Sequence, residues 1–418
     1  MPDSSKTGDI LIKTMTVGDI DLLQLAAAVI IHEDIFSNFF IGQIGVSDPF
    51  GRFHEIATGE AHKVIIEWKT ISNEIASNYT KIEGYLTKIS SVTFPKQGIM
   101  EYTLHFSAKE YITNEISRFS TVLSGSISEI LRDVCKRIDI EPTTMIDCDK
   151  EQKHKIVVPY WTPFYTINKI CSLAKSSKNE AVNYLFYQTI DGNYHFTSLD
   201  SIIDKGDNSS VVETFKIGSP AYNPPGDSIP DNISYGVLNS IGFESGLDVL
   251  NTVIDNGVSG KIWTHDLIRN RVNEYRFDYE SFYGNTNHLS KDQIVTDLGD
   301  IDLADKDNPV NYRLYPASKG LFDGYYDDVN SEGRYSNRWA IQRKSSILGQ
   351  WYNKKVRCSV SGDSKRRVGD IVTLNIPKEM TGDSITKNED YSGKYLVSTV
   401  VHVFDLKSYS AFVELIRD

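Results

Sequence analysis

Nine histidines, four cysteines and a surplus of carboxylates are the residues of this chain that could do chemistry, and their spacing argues against most of it. No histidine falls in an HExxH or HxH run, so a zinc protease site is not expected. His32, His54, His62 and His105 sit in strand-like contexts and read as structural side chains. Cys135, Cys148, Cys171 and Cys358 are widely spaced with no CxxC pair, which disfavours a zinc ribbon or a disulfide framework. There is no GxSxG elbow, Walker loop or dinucleotide fingerprint. Gly242-Phe243-Glu244-Ser245-Gly246 has glycines but no phosphate-loop lysine, and reads as a turn. Asp300-Ile301-Asp302, with Asp305 and Asp307, has the carboxylates for calcium but lacks the glycine and closing glutamate of an EF-hand, and reads as a solvated acidic loop. Paired carboxylates are plentiful, so counting alone leaves a glycosidase pair open. The sequence assigns no catalytic, cofactor-binding or metal-ligating residue and no cofactor.

The charge balance points the same way. Of 418 residues, 44 are Lys or Arg and 56 are Asp or Glu, a formal net charge of −12. A dedicated nucleic-acid or membrane-surface binder usually carries a basic excess. The charge is unevenly spread. Residues 291–335 hold ten acids against five bases, and residues 337–368 hold nine bases against one acid, Asp363. The basic stretch Arg338 to Arg367, with Trp339, Trp351 and Tyr352, could contact nucleic acid. The blander reading is a helix face paired with the acidic loop or with an acidic neighbouring subunit. No apolar run reaches 18 residues, and Met1 to Gly8 is polar, so neither a membrane span nor a signal peptide is expected. The sparse cysteines fit synthesis in a reducing cytoplasm.

These side chains must be carried by a β-rich chain, since 18 Phe and 23 Tyr stand against only five Met. Strands are expected at Ile10 to Met15, Ile35 to Val46, Lys63 to Trp68, Ile82 to Phe94 and Gly98 to Ser107, with Leu22 to Ile31 ambiguous between helix and strand. The period then changes. Ser126-Ile127-Ser128-Glu129 is a capping box ahead of a helical stripe through Ile130, Leu131, Val134 and Ile138. Thr162-Pro163 opens a second helix. Asp191-Gly192 is a hairpin turn between Asn183 to Ile190 and Asn193 to Leu199. Short strands return from 206 to 255, with a helical turn at Asp248 to Asp255. A hairpin is expected around Asn270, a loop over 286–335, a helix over Asn337 to Lys354 and a strand through Val356, Cys358 and Val360.

A faint duplication spans the whole. Tyr85-Leu86, Phe94 and Tyr102 recur at the same offsets as Tyr395-Leu396, Phe404 and Phe412, each copy preceded by a Gly-containing β-branched strand. Two related β-domains per chain would let three chains present six similar units in a ring.

Four stretches carry a resemblance: Phe39 to Arg52, Lys81 to Phe106, Val157 to Ala174, and the run from Ser361-Gly362-Asp363 through Val368-Gly369-Asp370, Ser392 to Leu396, His402 and Glu414-Leu415. Together they resemble the central baseplate hub protein of contractile-tailed bacteriophages, related to the hub part of type VI secretion spikes. The resemblance implies an α+β, β-rich fold with two related tube-like β-barrel domains and an inserted α+β domain. The expected division is 8–112 for the first tube-like β-domain, 113–205 for the α+β domain and 206–255 for the start of the second β-domain. An insertion at 256–335, packing with the α+β domain, and the remainder of the second β-domain at 336–418 complete it. It implies a structural, non-enzymatic homotrimer that forms a pseudo-hexameric ring. Separately, strand edges of the β-domains are expected to pair across subunits, since bare edges invite aggregation. Such a ring would join the hexameric tail tube, or a tube-initiator ring, to a separate trimeric spike beside other baseplate proteins. DNA would only pass through its channel, without stable membrane association, in a virion tail baseplate assembled in the host cytoplasm. The alternatives are a tail-associated peptidoglycan hydrolase and the hub of a phage-derived injection particle.

Overall fold

Alternation of apolar and polar residues decides most of the architecture. In Lys63–Thr70 every second side chain is buried, the period-2 signature of a strand with one face on a core. The computed structural model describes residues 10–57, 62–70, 79–146, 148, 154–176, 182–208, 213–217, 237–245, 259–266, 270–278, 287–290, 311–317, 354–377, 388, 390–406 and 408–418.

The chain begins with β1 (Ile10–Val17), β2 (Ile20–Asp21), β3 (Ala26–Asp34), β4 (Ile41–Asp48), the single turn α1 (Phe53–Ile56), β5 (Lys63–Thr70), β6 (Thr80–Lys96) and β7 (Ile99–Ser107). A helical region follows: α2 (Lys109–Ile116), β8 (Phe119–Gly125), α3 (Ile127–Lys136), β9 (Thr144–Met145), β10 (His154–Trp161), α4 (Pro163–Cys171), β11 (Tyr184–Gln188), β12 (Tyr194–Ser198) and α5 (Leu199–Asn208). The rest is again strands: β13 (Glu213–Ile217), β14 (Val237–Ser245), β15 (Ser259–Asp266), β16 (Arg271–Asp278), β17 (Asn311–Ala317), β18 (Lys354–Ser361), β19 (Ile371–Asn375), β20 (Gly393–Phe404) and β21 (Tyr409–Arg417).

The fold is β-rich and dominated by one large, mostly antiparallel sheet of thirteen strands, in the order β19-β13-β14-β18-β21-β20-β3-β4-β7-β6-β5-β1-β2. Strands from both ends of the chain share it, joined where β20 pairs with β3. Two separate closed barrels are therefore not what the hydrogen bonds give. The first strand set is open, since no described strand links β1 to β3. In the second, β19 pairs with both β13 and β20, so the pairings run in a circuit. One buried cluster lies under each set, and a third fills the region from Phe119 to Phe196.

The local signals work as the physics requires, with instructive exceptions. Ser126 Oγ accepts from Glu129 N and Glu129 Oε2 accepts from Ser126 N at 2.8 Å, completing the capping box of α3. Pro163 opens α4 as expected, but Thr162 offers no side-chain cap. Asn114 does so instead, its Oδ1 accepting from Phe164 N at 2.7 Å. Asp191-Gly192 turns β11 into β12, with Gly192 at φ 80°. Asn270, at φ 50°, turns β15 into β16.

Ile35 to Val46 is not one strand. Asp34 accepts from Phe36 N at 2.7 Å, turning the chain before β4 starts at Ile41. The ambiguous Leu22 to Ile31 resolves into a turn at Leu22 to Leu25 and the start of β3. Gly242 to Ser245 is no turn but the end of β14, held in a ladder with β18 that outweighs the glycine. Asn311 to Ala317, read as loop, is a strand parallel to β15. The helical turn at Asp248 to Asp255 and the helix expected from Asn337 lie outside the described residues, save Lys354, which opens β18 rather than ending a helix. The aspartates from Asp300 to Asp307 lie outside them too.

Candidate assembly site at the joint of the two strand sets

The two strand sets follow the same order. Reading from β3, the first runs β3-β4-β7-β6-β5-β1; reading from β14, the second runs β14-β18-β21-β20-β19-β13. The correspondence extends to register. The β6–β7 ladder skips one residue between Leu86 and Lys88, and the β20–β21 ladder skips one between Val397 and Thr399. At these bulges Thr87 Oγ1 donates to the His105 carbonyl at 3.0 Å. Ser398 Oγ stands 3.1 Å from the Glu414 carbonyl and equally near the Glu414 carboxylate. Just before each bulge the backbone makes the same contact, Leu86 N to His62 O and Val397 N to Asp370 O, both at 2.9 Å. A second matched bulge lies between Ala26 and Ala28 in β3, facing β4, and between Leu238 and Ser240 in β14, facing β18. Bulges are local irregularities fixed by sequence, so two at equivalent places bind the halves together more tightly than strand order alone. The last strand fails in one respect: β1 is antiparallel to β5, whereas β13 is parallel to β19.

The quoted aromatic repeat maps less cleanly. Tyr102 and Phe412 lie on opposite faces, one buried and one half-exposed. Phe94 is exposed while Phe404 is fully buried.

At the joint, Thr399 to Phe404 of β20 lies against Val29 to Asp34 of β3. Beneath it, Glu33 and His402 are completely buried. Glu33 Oε1 meets His402 Nε2 at 2.8 Å, and Glu33 Oε2 accepts from Ile190 N at 2.7 Å. His402 Nδ1 meets the Tyr409 hydroxyl at 2.6 Å, and that hydroxyl donates to the Asp363 carbonyl at 3.1 Å. Burial pushes the Tyr409 phenol far above its ordinary range, so it keeps its proton. Both ring nitrogens of His402 are thus engaged, one by the Glu33 carboxyl and one by the Tyr409 hydroxyl. Trp68 of β5 stacks on Phe404 of β20 at 5.3 Å, sealing the network from the first set.

Buried polar groups are costly to desolvate, and fixing register is their best-attested use. A slip of one residue between β3 and β20 would turn Glu33 outward and bring His32 in. The network also ties in the helical region through Ile190. That contact is reinforced by the reciprocal amide pair Asn38–Asn168 at 3.0 to 3.1 Å, by Phe40 N to Gln188 Oε1 at 3.3 Å and by Arg367–Asp191 at 3.2 Å. Arg366, buried, grips Glu213 of β13 with three hydrogen bonds of 2.7 to 3.1 Å.

The outer face of the joint is different. Ser359, Phe412, Val401, His32 and Ile41 form one row across β18, β21, β20, β3 and β4. With Ile30 and Val403 in the next row they make a partly exposed apolar stripe. Beside it Lys355 and Arg357 hold Glu414 at 2.8 and 3.2 Å, and Arg357 reaches Glu244 at 2.6 Å. Burial raises the Glu414 carboxyl, but these cations outweigh it and hold the group below its ordinary value.

The other residues singled out in the sequence do not converge. His105 meets Ser90 at 2.6 Å, and His54 sits on the single-turn α1. Among the described residues no group of three or more His, Cys, Asp and Glu is placed to hold a metal. No described helix is long and apolar enough to cross a membrane. A cleft of about 370 Å³ beside the Asp191-Gly192 turn is lined in part by Lys63, Lys81 and Glu83, which pair with one another, Lys63–Glu83 at 2.6 Å and Lys81–Glu83 at 2.7 Å. Of the basic stretch, the described part is Lys354 to Arg367, and its Lys355, Arg357, Arg366 and Arg367 are all engaged with carboxylates. Sequence reading missed Glu33 and gave His402 no role. Both carry a signal: Glu33 shares a strand face with Val29 and Ile31, and His402 with Val400 and Phe404. A charge on an apolar strand face calls for a buried partner.

No protein-family model matches the chain, and no curated protein matches it in sequence. Solved structures do. The fold is similar to that of a tail protein from Neisseria meningitidis MC58, with a TM-score of 0.56 and 10% identity, covering 98% of this chain and 97% of that one. It is similar to the 43 kDa tail protein of prophage MuSo2 from Shewanella oneidensis, with a TM-score of 0.51 and 10% identity, covering 98% of both chains. A looser likeness, with a TM-score of 0.45 and 8% identity, is to a component of the type VI secretion system of Escherichia coli, covering 98% of this chain and 76% of that one. At such identities the likeness is one of fold, and the fold it finds is that of phage tail proteins, the group to which the sequence resemblance points.

Proposed function

We infer that the chain is the structural hub of a contractile phage tail baseplate. In this reading residues 8–112 and the pair of segments 206–255 and 336–418 are two related tube-like β-domains. Residues 113–205 are an inserted α+β domain, with 256–335 packed against it. Three chains then build a ring of six similar units. The ring meets a hexameric tube on one face and a trimeric spike on the other, leaving a channel for DNA. The protein works in the virion by bearing load and adapting symmetry, without catalysis.

The observation that carries this reading is the twin bulge, Thr87 and Ser398, set in two strand sets of equal order. Near-complete coverage of two tail-protein folds supports it. The apolar stripe around Phe412 suits a large protein contact. The test is the solution mass of the purified chain, alone and with a trimeric spike. The expected result is three times 47.2 kDa, either alone or on the spike. A single-chain mass under both conditions would overturn the reading. Zymography on peptidoglycan is expected to show no clearing; a cleared band would favour the hydrolase.

A further inference from the structure

The pseudo-repeat leaves two strand edges unequal to their counterparts. In β20 the edge beyond the bulge, Thr399 to Phe404, is covered by β3. The corresponding edge of β6 begins at Lys88. Its inner part, Thr80 to Tyr85, pairs with β5, but no described strand covers the edge from Lys88 to Phe94. The deficit on β14 is complementary. β3 is covered on its far side by β20 over Val29 to Asp34. The corresponding stretch of β14 is Ile241 to Ser245, and β13 reaches only Val237 and Leu238. No described strand covers Ile241 to Ser245 on that side.

We propose that β6 of one chain pairs antiparallel with β14 of a second copy, repeating between chains the joint that β20 and β3 make within one. This rests on the hub reading for the number of chains, but the register follows from the repeat alone. Transferring the observed pairs Val401↔His32 and Val400↔Glu33 across the matched bulges sets Ser90 against Glu244 and Ile89 against Ser245. The β6–β7 ladder has a further irregularity between Ser90 and Thr93, with Ser91 at φ 54°. Beyond it, Val403↔Ile30 and Phe404↔Val29 transfer to Thr93 against Gly242 and Phe94 against Ile241. The exposure of these residues fits: Phe94 is 69% exposed and Val92 44%, on an arm ending in Pro95 and Lys96, while Phe243 is 36% exposed. Uncovered edges of this kind invite pairing, and proteins normally blunt or cover them. Because the two edges differ, the contact is head-to-tail, the kind that closes a ring when the rotation allows.

Facing residues in an antiparallel pair have Cα atoms roughly 4.5 to 5.5 Å apart, within the span of a disulfide. Thr93→Cys and Gly242→Cys are made as separate chains. Both sites are exposed, and a Cβ on Gly242 approaches nothing nearer than the Arg357 carbonyl at 3.8 Å. The native cysteines Cys135, Cys148, Cys171 and Cys358 are buried and give little background. Mixed and oxidised, the two variants are expected to give a covalent dimer on a non-reducing gel, and neither alone should do so. The double variant should give a ladder up to the size of the assembly. Ser90→Cys with Glu244→Cys provides a second in-register pair. Ser90→Cys with Ile241→Cys, out of register, should give at least tenfold less product. An assembly of three-chain mass with neither in-register pair cross-linking overturns this pairing while leaving the hub reading standing. A single-chain mass with no cross-link overturns both.

Discussion

Glu33 and His402 lie 369 positions apart in the chain and meet at 2.8 Å with no exposure to solvent. Removing one partner of such a pair leaves the other polar group buried and unsatisfied, at a cost of about 1 to 3 kcal/mol. His402→Leu is expected to lose that much in urea unfolding followed by tryptophan fluorescence, since Trp68 lies against the joint. Adding Glu33→Gln should restore at least about 0.5 kcal/mol, because the two sites are coupled. Additive losses would show that the pair does not act as a unit.

Gly42 and Phe106 face each other across β4 and β7, where the second strand set has Val356 facing Leu415 across β18 and β21. The volumes are exchanged: one set puts a large ring over a bare backbone, the other shares the space between two aliphatic side chains. A Cβ on Gly42 would stand 2.2 Å from the Phe106 ring. Gly42→Val alone is expected to cost about 3 kcal/mol, the upper end of the usual range for overpacking. Gly42→Val with Phe106→Leu should recover more than half of that loss, read as the shift in unfolding midpoint. No rescue would mean that the two positions are not packing equivalents.

Asp370 gives a pH signature. Burial raises its carboxyl from 3.8 to about 6, only partly opposed by the hydrogen bond from Arg367 N at 3.3 Å. The folded chain therefore holds this proton more tightly than the unfolded chain. The stability tied to it is present below pH 3.8 and is lost as pH rises through about 6. Asp370→Asn is expected to stabilise the protein at pH 7.5 by about 2 kcal/mol. The gap between variant and wild type should shrink as pH falls towards 4. A gap that is constant with pH would refute the assignment.

The cysteines should be silent. Burial pushes the Cys135 and Cys358 thiols up to about 12, and Cys148 and Cys171 are buried as well. A thiol reagent at pH 8 is expected to label none of them in the folded protein and all four in urea. Rapid labelling of any one in the native state would show that its cluster opens.

Much of the fold was legible because it is local. The capping box at Ser126, the turn at Asp191-Gly192 and the alternation of Lys63 to Thr70 each carry their own instructions. What was not legible depends on distant partners. Gly242 sits in a strand only because β18 lies beside it, and Asn311 to Ala317 is a strand only because β15 is there. The duplication was visible as an idea, but the aromatic match that suggested it crosses faces at Tyr102 and Phe412. Aromatic side chains recur in any pleated sheet, whereas a bulge changes the count of residues along one strand, and only paired registers expose it. The Glu33–His402 pair required knowing that β3 and β20 are neighbours.

The joint also sets a schedule for synthesis. At about 5 to 20 residues per second, a ribosome needs roughly 20 to 70 s to go from one half of the network to the other. Throughout that interval the nascent β3 has a ragged, unpaired flank and a Glu33 side chain without its later hydrogen-bond partner. Maturation of the first strand set is thus deferred until a much later segment has left the exit tunnel, and a chain stalled in between is a substrate for holding chaperones rather than a half-finished part.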